Sequence, residues 1–453
     1  MRQATRRRFL RTMVGAGAVL RARAQIPGER PEPAPEIEVL NPRGRVPLSF
    51  IIDDSTCLVN LNKFSIPQFA AAFDNRRYHY DWRSMPNEIP DDFVRVFGNW
   101  CGENGVKGKY SIVPFPACVG RLDRELPGWA PRELQSSIDL VRSLMTPNWD
   151  IHPEMVTHTR VIDTKTGQPY PERSLRYMEN FEWTDGRSVD ELADYMRYAL
   201  RILHNIGLPC EGITTPGGFG LRVLPELAQA TLEACRDVYQ AEIPHYFRHS
   251  LASGDASVAP RVEYAAGLNG GDPRCVVSII GCTKDWTGGW DAAGTPEPDR
   301  FITRDLDSGR LVEVIERGEP ACLVCHWTGI YHNGRELGFK AFQEVVRRLS
   351  DRYGHLLWMK TGEIARYWAA KELTTIRRGS AGVLFTAPFA CPAFTVAFDS
   401  PGRKPPRLEV DSQESPLRET TGRLDLGPGA WRREGERVTV CFDLPKGASR
   451  LIL

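Results

Sequence analysis

The sequence predicts an α/β protein: a (β/α) barrel of seven or eight units followed by a small C-terminal β-sandwich. Three observations predict it. From residue 46 to residue 371, short apolar, β-branched runs alternate with longer segments of helical period, the pattern of a parallel sheet with outer helices. No G-x-G-x-x-G or G-x-x-x-x-G-K-[ST] follows any of these runs, so the usual support for an open nucleotide-binding sheet is missing. After Lys371 the texture changes to short strand-like runs between Gly and Pro turns.

The elements follow in order. Residues 1–25 contain Thr5-Arg6-Arg7-Arg8-Phe9-Leu10-Arg11, an apolar run from Met13 to Leu20, and Ala22-Arg23-Ala24. This reads as a twin-arginine signal with an A-x-A cleavage site, so a periplasmic or secreted protein is expected. The run is well short of the ~20 residues a spanning helix needs, and no later segment is long and apolar enough either. Residues 26–45 hold Pro27, Pro31, Pro33 and Pro35 and read as a tether.

In the 46–371 domain, strands are predicted at Leu48–Ile52, Lys109–Val113, Glu154–Thr159, Gly212–Thr215, Val276–Gly281, Ala321–His326 and His355–Met359, with a weaker one around Ile243–Phe247. Phe93, Val94, Phe97, Trp100 and Cys101 form the apolar stripe of a helix stopped by Gly105. Ser188 and Glu191 make a capping box before Leu192, Met196, Leu200 and Leu203. Phe339 to Tyr353 is a further helix. In the 372–453 domain the strand-like runs are Thr374–Ile376, Val383–Phe385, Phe394–Phe398, Leu408–Val410 and Val438–Phe442. Their aromatics do not cluster at strand spacing, so a covering role is expected of this domain before a glycan-binding one.

Composition excludes some partners. Lys and Arg number 58 against 57 for Asp and Glu, which gives no global charge to attract nucleic acid or an anionic membrane. Eleven cysteines, odd in number and scattered through apolar runs, read as small buried hydrophobes. Cys322 and Cys325 have C-x-x-C spacing, but on a strand that spacing sends the side chains to opposite faces.

Reacting groups of such barrels collect at the carboxyl ends of strands, where the loops converge. The first strand ends in Asp53-Asp54-Ser55, two adjacent carboxylates that are costly together unless a cation or a shared proton relieves them. The third region reads Asp150-Ile151-His152-Pro153-Glu154-Met155-Val156-Thr157-His158. On one unbroken strand His152 and His158 would share a face, although Pro153 is expected to confine the strand to the residues after it. Thr214-Thr215-Pro216-Gly217-Gly218 is a turn suited to close ligand approach. Later strands end in Lys284-Asp285-Trp286, with Trp290 close behind, and in Cys325-His326-Trp327.

This order of strand ends resembles the polysaccharide deacetylase family, the NodB-type carbohydrate esterase barrel, over roughly residues 46–371. The resemblance implies that Asp53 is the catalytic base, that Asp54 and His158 bind a divalent metal such as zinc, and that His326 is the general acid. Thr214 to Gly218 falls at the family's Arg-x-Pro-Tyr-Gly loop, and Asp285-Trp286 at its fourth motif. The chain departs from the family at Ile162, where a second histidine is expected, at Thr214, where the motif has arginine, and at Ser55, where glycine is usual. Asp163 or His152 is then the candidate third ligand, since catalytic zinc takes three protein ligands.

Two enzymatic readings result. In the leading one the chain deacetylates a glycan with a divalent metal, and Trp286, Trp290 and Trp327 stack on sugar faces, with His152, Thr214 and Asp285 also toward the substrate. In the other, Asp53 or Asp54 works with Glu154 or His158 as the metal-independent acid–base pair of a glycoside hydrolase. A non-catalytic glycan-binding barrel is the third possibility.

Overall fold

The computed structural model describes residues 28–73, 75–380, 382–402 and 404–453; the predicted export signal, residues 1–25, lies outside them. The strands of the body are β1 (Val46–Asp53), β2 (Gly108–Ile112), β3 (Trp149–Pro153), β4 (Gly212–Thr214), β5 (His245–Ser250), β6 (Arg261–Ala266), β7 (Arg274–Gly281), β8 (Ala321–His326) and β9 (Leu356–Trp358).

They form two sheets. In one, β8, β1, β2 and β3 run parallel side by side, with β9 also parallel to the start of β1. In the other, β4, β5 and β7 are parallel and β6 is antiparallel on β7. A parallel bridge between Glu154 and Thr214 joins the sheets at β3 and β4. At the other seam the Cys282 N–H donates to the Cys322 carbonyl at 2.8 Å, next to β7 and β8. Across these contacts the parallel strands neighbour one another in the order β8, β1, β2, β3, β4, β5, β7.

Local sequence explains the central strand. β1 reads Val-Pro-Leu-Ser-Phe-Ile-Ile-Asp and is buried along its whole length, as a parallel strand covered on both faces must be. Phe50 stacks on Phe342 with ring centroids 3.8 Å apart and meets Trp149 at 6.1 Å. Trp149 in turn touches Phe97 of helix α1 (Asp91–Glu103) at 5.7 Å. Helix α2 (Val189–Asn205) starts with the predicted capping box: the Glu191 N–H donates to Ser188 Oγ at 3.3 Å, and the Ser188 N–H to Glu191 Oε2 at 3.0 Å. Its buried stripe packs on α3 (Leu224–Tyr239). Helix α4 (Leu337–Arg352) brings Phe342 to the stack on Phe50, and α5 (Thr361–Leu373) packs on β7. Among the described residues no helix is long and apolar enough to cross a membrane.

The residues after Leu373 build two five-stranded sheets. One contains Thr375–Gly379, Gly382–Ala387, Gly447–Ile452, Arg407–Val410 and Gln413–Pro416; the other contains Cys391–Asp399, Arg437–Leu444, Ala430–Glu434 and Arg418–Glu419. The fifth strand of the second sheet is Glu38–Val39, which pairs with Val396 and Ala397. Phe385, Phe394 and Phe442 meet between the sheets, and Ile364, Ala365 and Trp368 of α5 belong to the same apolar cluster.

Three expectations are corrected by the structure. The third strand is Trp149–Pro153, and Glu154–Thr159 is a loop, because Met155 and His158 take left-handed backbone with φ of 50° and 61°. His152 and His158 therefore share no strand face. β6 is a strand that the apolar pattern did not predict. The segment expected as a tether is tied down from residue 28 onward: the Glu29 N–H donates to the Ala265 carbonyl at 2.8 Å, and its carboxylate accepts from the N–H groups of Gly267 and Leu268. The cysteines are free, ten buried and Cys118 half-buried.

Gly108 marks where β1 and β2 approach most closely: a Cβ there would stand 1.9 Å from the Phe50 carbonyl oxygen. Gly108→Ala should therefore lower stability by at least the ~1–3 kcal/mol usual for overpacking. Urea unfolding checks this, and an unchanged midpoint would contradict the packing described.

Candidate functional site

A cavity of about 340 Å³ opens at the carboxyl ends of β1, β5 and β8, with Asp53, Asp54, Glu154, His158 and His326 in its wall. Strand register brings the first pair together. Asp53 ends β1, His326 ends β8, and the two are direct partners across the parallel ladder. Asp54 follows with a left-handed φ of 63°, and its N–H donates to Glu154 Oε2 at 2.7 Å.

Three donor groups converge there. His158 Nε2 lies 2.7 Å from Asp54 Oδ1 and 3.3 Å from Glu154 Oε1. Burial works against a charged His158, but the Asp54 and Glu154 carboxylates outweigh it and hold the imidazole well above its usual range. Burial likewise works against Glu154, yet its contacts with His158 take it down to about 2. Asp54 Oδ1 has no aligned hydrogen bond, and neither has the buried His158 Nδ1. Two carboxylates and one imidazole, with ligand atoms within 4.8 Å of one another and a carboxylate oxygen lacking an aligned hydrogen bond, suit a divalent cation held by three protein ligands.

Two residues that no motif singled out hold this cluster in place. Glu179, fully buried, accepts from the N–H groups of Val156 at 3.3 Å, Thr157 at 3.0 Å and His158 at 2.6 Å, and from the Tyr195 hydroxyl. Its carboxylate thereby fixes the left-handed loop that presents His158, while burial pushes its pKa up to about 7. On β2, Lys109 buries its ammonium among Asp53 Oδ1, the Ile52 carbonyl at 3.0 Å and Ser111 Oγ at 2.7 Å. A lone lysine in the run Lys-Tyr-Ser-Ile-Val was the available signal, since lysine is almost never fully buried unless paired.

Asp53 and His326 are tuned in a useful direction. Burial raises Asp53 to about 6, with Glu154 adding to the effect and Lys109 opposing it. His326 Nδ1 lies 2.8 Å from Asp285 Oδ2, and Asp285 Oδ1 accepts from the N–H and hydroxyl of Thr287. Burial would lower His326, but Asp54, Asp285 and Asp53 carry it up to about 10.

Other predicted site residues are placed elsewhere. Asp163 lies on the short Ile162–Asp163 strand, where its carboxylate caps the Lys165 N–H at 2.9 Å. His152 Nε2 is 3.0 Å from His245 Nε2, and its Nδ1 is 3.4 Å from Thr214 Oγ1, which turns both His152 and Thr214 away from the cavity; Thr215 lines it instead. Glu154, expected as an acid–base group, lies with Asp54 and His158 where Asp163 or His152 was expected. Asp285 reaches the site through His326. Of the three tryptophans expected toward the substrate, Trp286 and Trp327 do not line the cavity. Trp327 is buried against Phe93, Phe97 and Tyr110, and Trp286 is buried against Phe301 and Arg300, so their rings fill the core and not the cavity. Trp290 lines the cavity with Phe69, Tyr78 and Phe181.

A second group, Asp150, His152 and His245, also gathers three ligand atoms, toward the amino ends of β3 and β5. Burial and the neighbouring His245 hold His152 well below its usual pKa. Asp150 Oδ2 is already engaged by Thr361 Oγ1 at 3.0 Å and the Gly362 N–H at 2.5 Å. A larger cavity of about 540 Å³ lies beside it, where Lys107 pairs with Glu363, Arg366 with Glu242, and Lys360 donates to the Thr146 carbonyl. It offers no counterpart to the Asp53–His326 pair.

The chain matches no family model and no curated protein at significance. It is similar to several solved structures. A probable polysaccharide deacetylase from Pseudomonas aeruginosa PAO1 shows 11% identity over 72% of this chain and 91% of its own, with a TM-score of 0.38. Puue allantoinase shows 13% identity over 73% of this chain and 91% of its own, at 0.39. A Parabacteroides distasonis protein described as a glycoside hydrolase/deacetylase shows 12% identity over 81% and 83%, at 0.41. At such identities and TM-scores these likenesses carry no inference about activity.

Proposed function

We propose that this chain is an exported, metal-dependent hydrolase that removes an acyl group from a glycan, working at the mouth of a closed (β/α) barrel. The observation that supports it most is the meeting of Asp54, Glu154 and His158 in one cavity wall with Asp53 and His326.

Asp54, Glu154 and His158 would hold the cation. When bound, a divalent ion there polarises an acyl carbonyl and acidifies water. The chain's own groups then handle the protons. Asp53, with its carboxyl near 6, is ionised at neutral pH and takes a proton from the attacking water as the oxygen bonds to the acyl carbon. Lys109 keeps that carboxylate in place. His326, raised to about 10, is protonated at neutral pH and gives its proton to the departing nitrogen or oxygen as the bond to the acyl carbon breaks. Asp285 orients the imidazole through Nδ1. The products are the acid and the free amine or hydroxyl, and proton exchange with solvent restores Asp53 and His326. Trp290, Tyr78 and Phe181 offer flat apolar faces of the kind sugars pack on.

One observation favours the glycoside hydrolase reading. Neighbouring carboxyls pushed apart, Asp53 to about 6 and Glu154 to about 2, are the mark of an acid and a charged partner. Chelation separates the readings. Under the deacetylase proposal, Asp54→Ala, Glu154→Ala and His158→Ala should each abolish both bound metal, read by elemental analysis, and acetate release. Asp53→Asn should keep the metal and lose about 10²–10⁴ in rate. Full glycan cleavage after exhaustive chelation would transfer the site to the glycosidase.

The acid role has its own test. His326→Ala should slow release of an alkoxide or amine leaving group by about 10²–10⁴, yet barely affect a nitrophenyl acetate, whose leaving group needs no proton. Equal losses on both substrates would remove His326 from proton transfer.

Export is part of the same proposal. Lysine at both Arg6 and Arg7 should leave folded protein in the cytoplasm, as cell fractionation would report. Undiminished export of that variant would refute the signal.

A further inference from the structure

Four lysine and arginine residues expose less than a tenth of their surface among the described residues: Lys109, Arg248, Arg310 and Arg348. Three of them have carboxylate partners. Lys109 pairs with Asp53, Arg310 with Glu313 at 2.8 Å, and Arg348 with Asp299 at 2.7 Å and Glu344 at 2.8 Å. Arg248 is the exception. It is 8% exposed, no described carboxylate lies within ion-pair distance, and its hydrogen bond runs from Nη1 to the Gly217 carbonyl at 3.1 Å. Its Nε–H is buried with no acceptor among the described residues.

A buried guanidinium normally has a partner, because leaving the charge unpaired costs several kcal/mol. Burial here is severe enough to lower Arg248 to about 10, still charged at neutral pH. The position is also unusual. Along the β5–β7 ladder, Phe247 faces Ile279 and His249 faces Ile280, so Arg248 is the extra residue of a bulge. A bulge redirects a side chain that a regular strand would send elsewhere. Arg248 lines the same cavity as Asp53 and His326, flanked by Thr215, His249 and Ser250.

We infer that Arg248 is the binding site for a carboxylate carried by the substrate, so that the preferred glycan contains an acidic sugar. This deepens the deacetylase proposal and rests on it for the reaction, though not for the binding. The guanidinium fork matches the two oxygens of a carboxylate, and an incoming anion supplies the acceptor that Nε lacks. Burial holds the neighbouring His249 down to about 4, so it adds no competing charge at neutral pH.

The test reads binding without turnover. Metal-loaded protein is titrated by NMR with D-glucuronate, D-glucose and glucose 6-phosphate. Glucuronate should bind at least about tenfold more tightly than glucose, the scale of a charge-assisted hydrogen-bonded pair. Arg248→Gln should erase that difference, and Arg248→Lys, which keeps charge but loses the fork, should restore only part of it. Equal binding of glucuronate and glucose by the wild type overturns the inference even if Arg248→Gln fails to fold. Tighter binding of glucose 6-phosphate than glucuronate overturns it in favour of a phosphate. Loss of acetate release with glucuronate binding intact would sink the deacetylase reading alone. Among acetylated glycans, Arg248→Gln should raise KM for acidic over neutral substrates with kcat less affected, a split that a merely structural role would not produce.

Discussion

Asp53, Asp54 and Glu154 are buried side by side, and much of the architecture around the cavity answers the cost of placing three carboxylates together. Carboxylates this close repel one another and lose hydration, so the site must supply positive charge or hydrogen-bond donors. Lys109 meets Asp53 from β2, His158 meets Asp54 and Glu154 from its loop, and the Asp54 N–H meets Glu154. What remains after these contacts differs from group to group. Glu154 stays ionised to about 2, whereas Asp53 titrates near 6. That division gives one carboxylate the character of a ligand and the other that of a proton acceptor.

The loop from Glu154 to Arg160 carries the other half of this arrangement. Its left-handed residues, Met155 and His158, would be unfavourable in an unsupported chain. Glu179 offsets that cost by accepting three successive backbone N–H groups, and Tyr195 of α2 secures Glu179. A helix well downstream in the chain, through one buried carboxylate, thus sets where the His158 imidazole points. The proposed role of His158 as a metal ligand requires positioning of this kind, because a ligand tolerates only small displacements.

The two ends of the strands contrast in chemistry. At the amino ends, Asp150 is taken up by Thr361 and Gly362, and His152 and His245 bond each other. Those contacts tie β3, β5 and α5 together. At the carboxyl ends, by comparison, Asp54 Oδ1, His158 Nδ1 and Arg248 Nε lack an aligned hydrogen bond. Buried polar atoms without an aligned hydrogen bond are uncommon, and these three line the same cavity as Asp53 and His326.

The sequence by itself determined the alternation of strands and helices, the capping box at Ser188 and Glu191, the buried stripe of α1 and the change of texture after Lys371, because each follows from local periodicity and propensity. It also placed Asp53, Asp54, His158, Asp285 and His326 at strand ends or the loops after them, since carboxylates and imidazoles after apolar runs stand out one at a time. Only the tertiary structure decided which of these meet. The Asp53–His326 pairing depends on the register of β8 on β1, which no single strand encodes. Glu154, and not Asp163, stands beside Asp54 and His158, because β3 ends at Pro153 and the Asp54 N–H holds the Glu154 carboxylate. Trp286 and Trp327 look the same as Trp290 in sequence, yet two fill the core and one faces the cavity. Lys109, Glu179 and Arg248 acquire their roles from burial and from partners distant in the chain. Their chemistry is set by the surroundings the fold provides, and those surroundings are not written in the residues beside them.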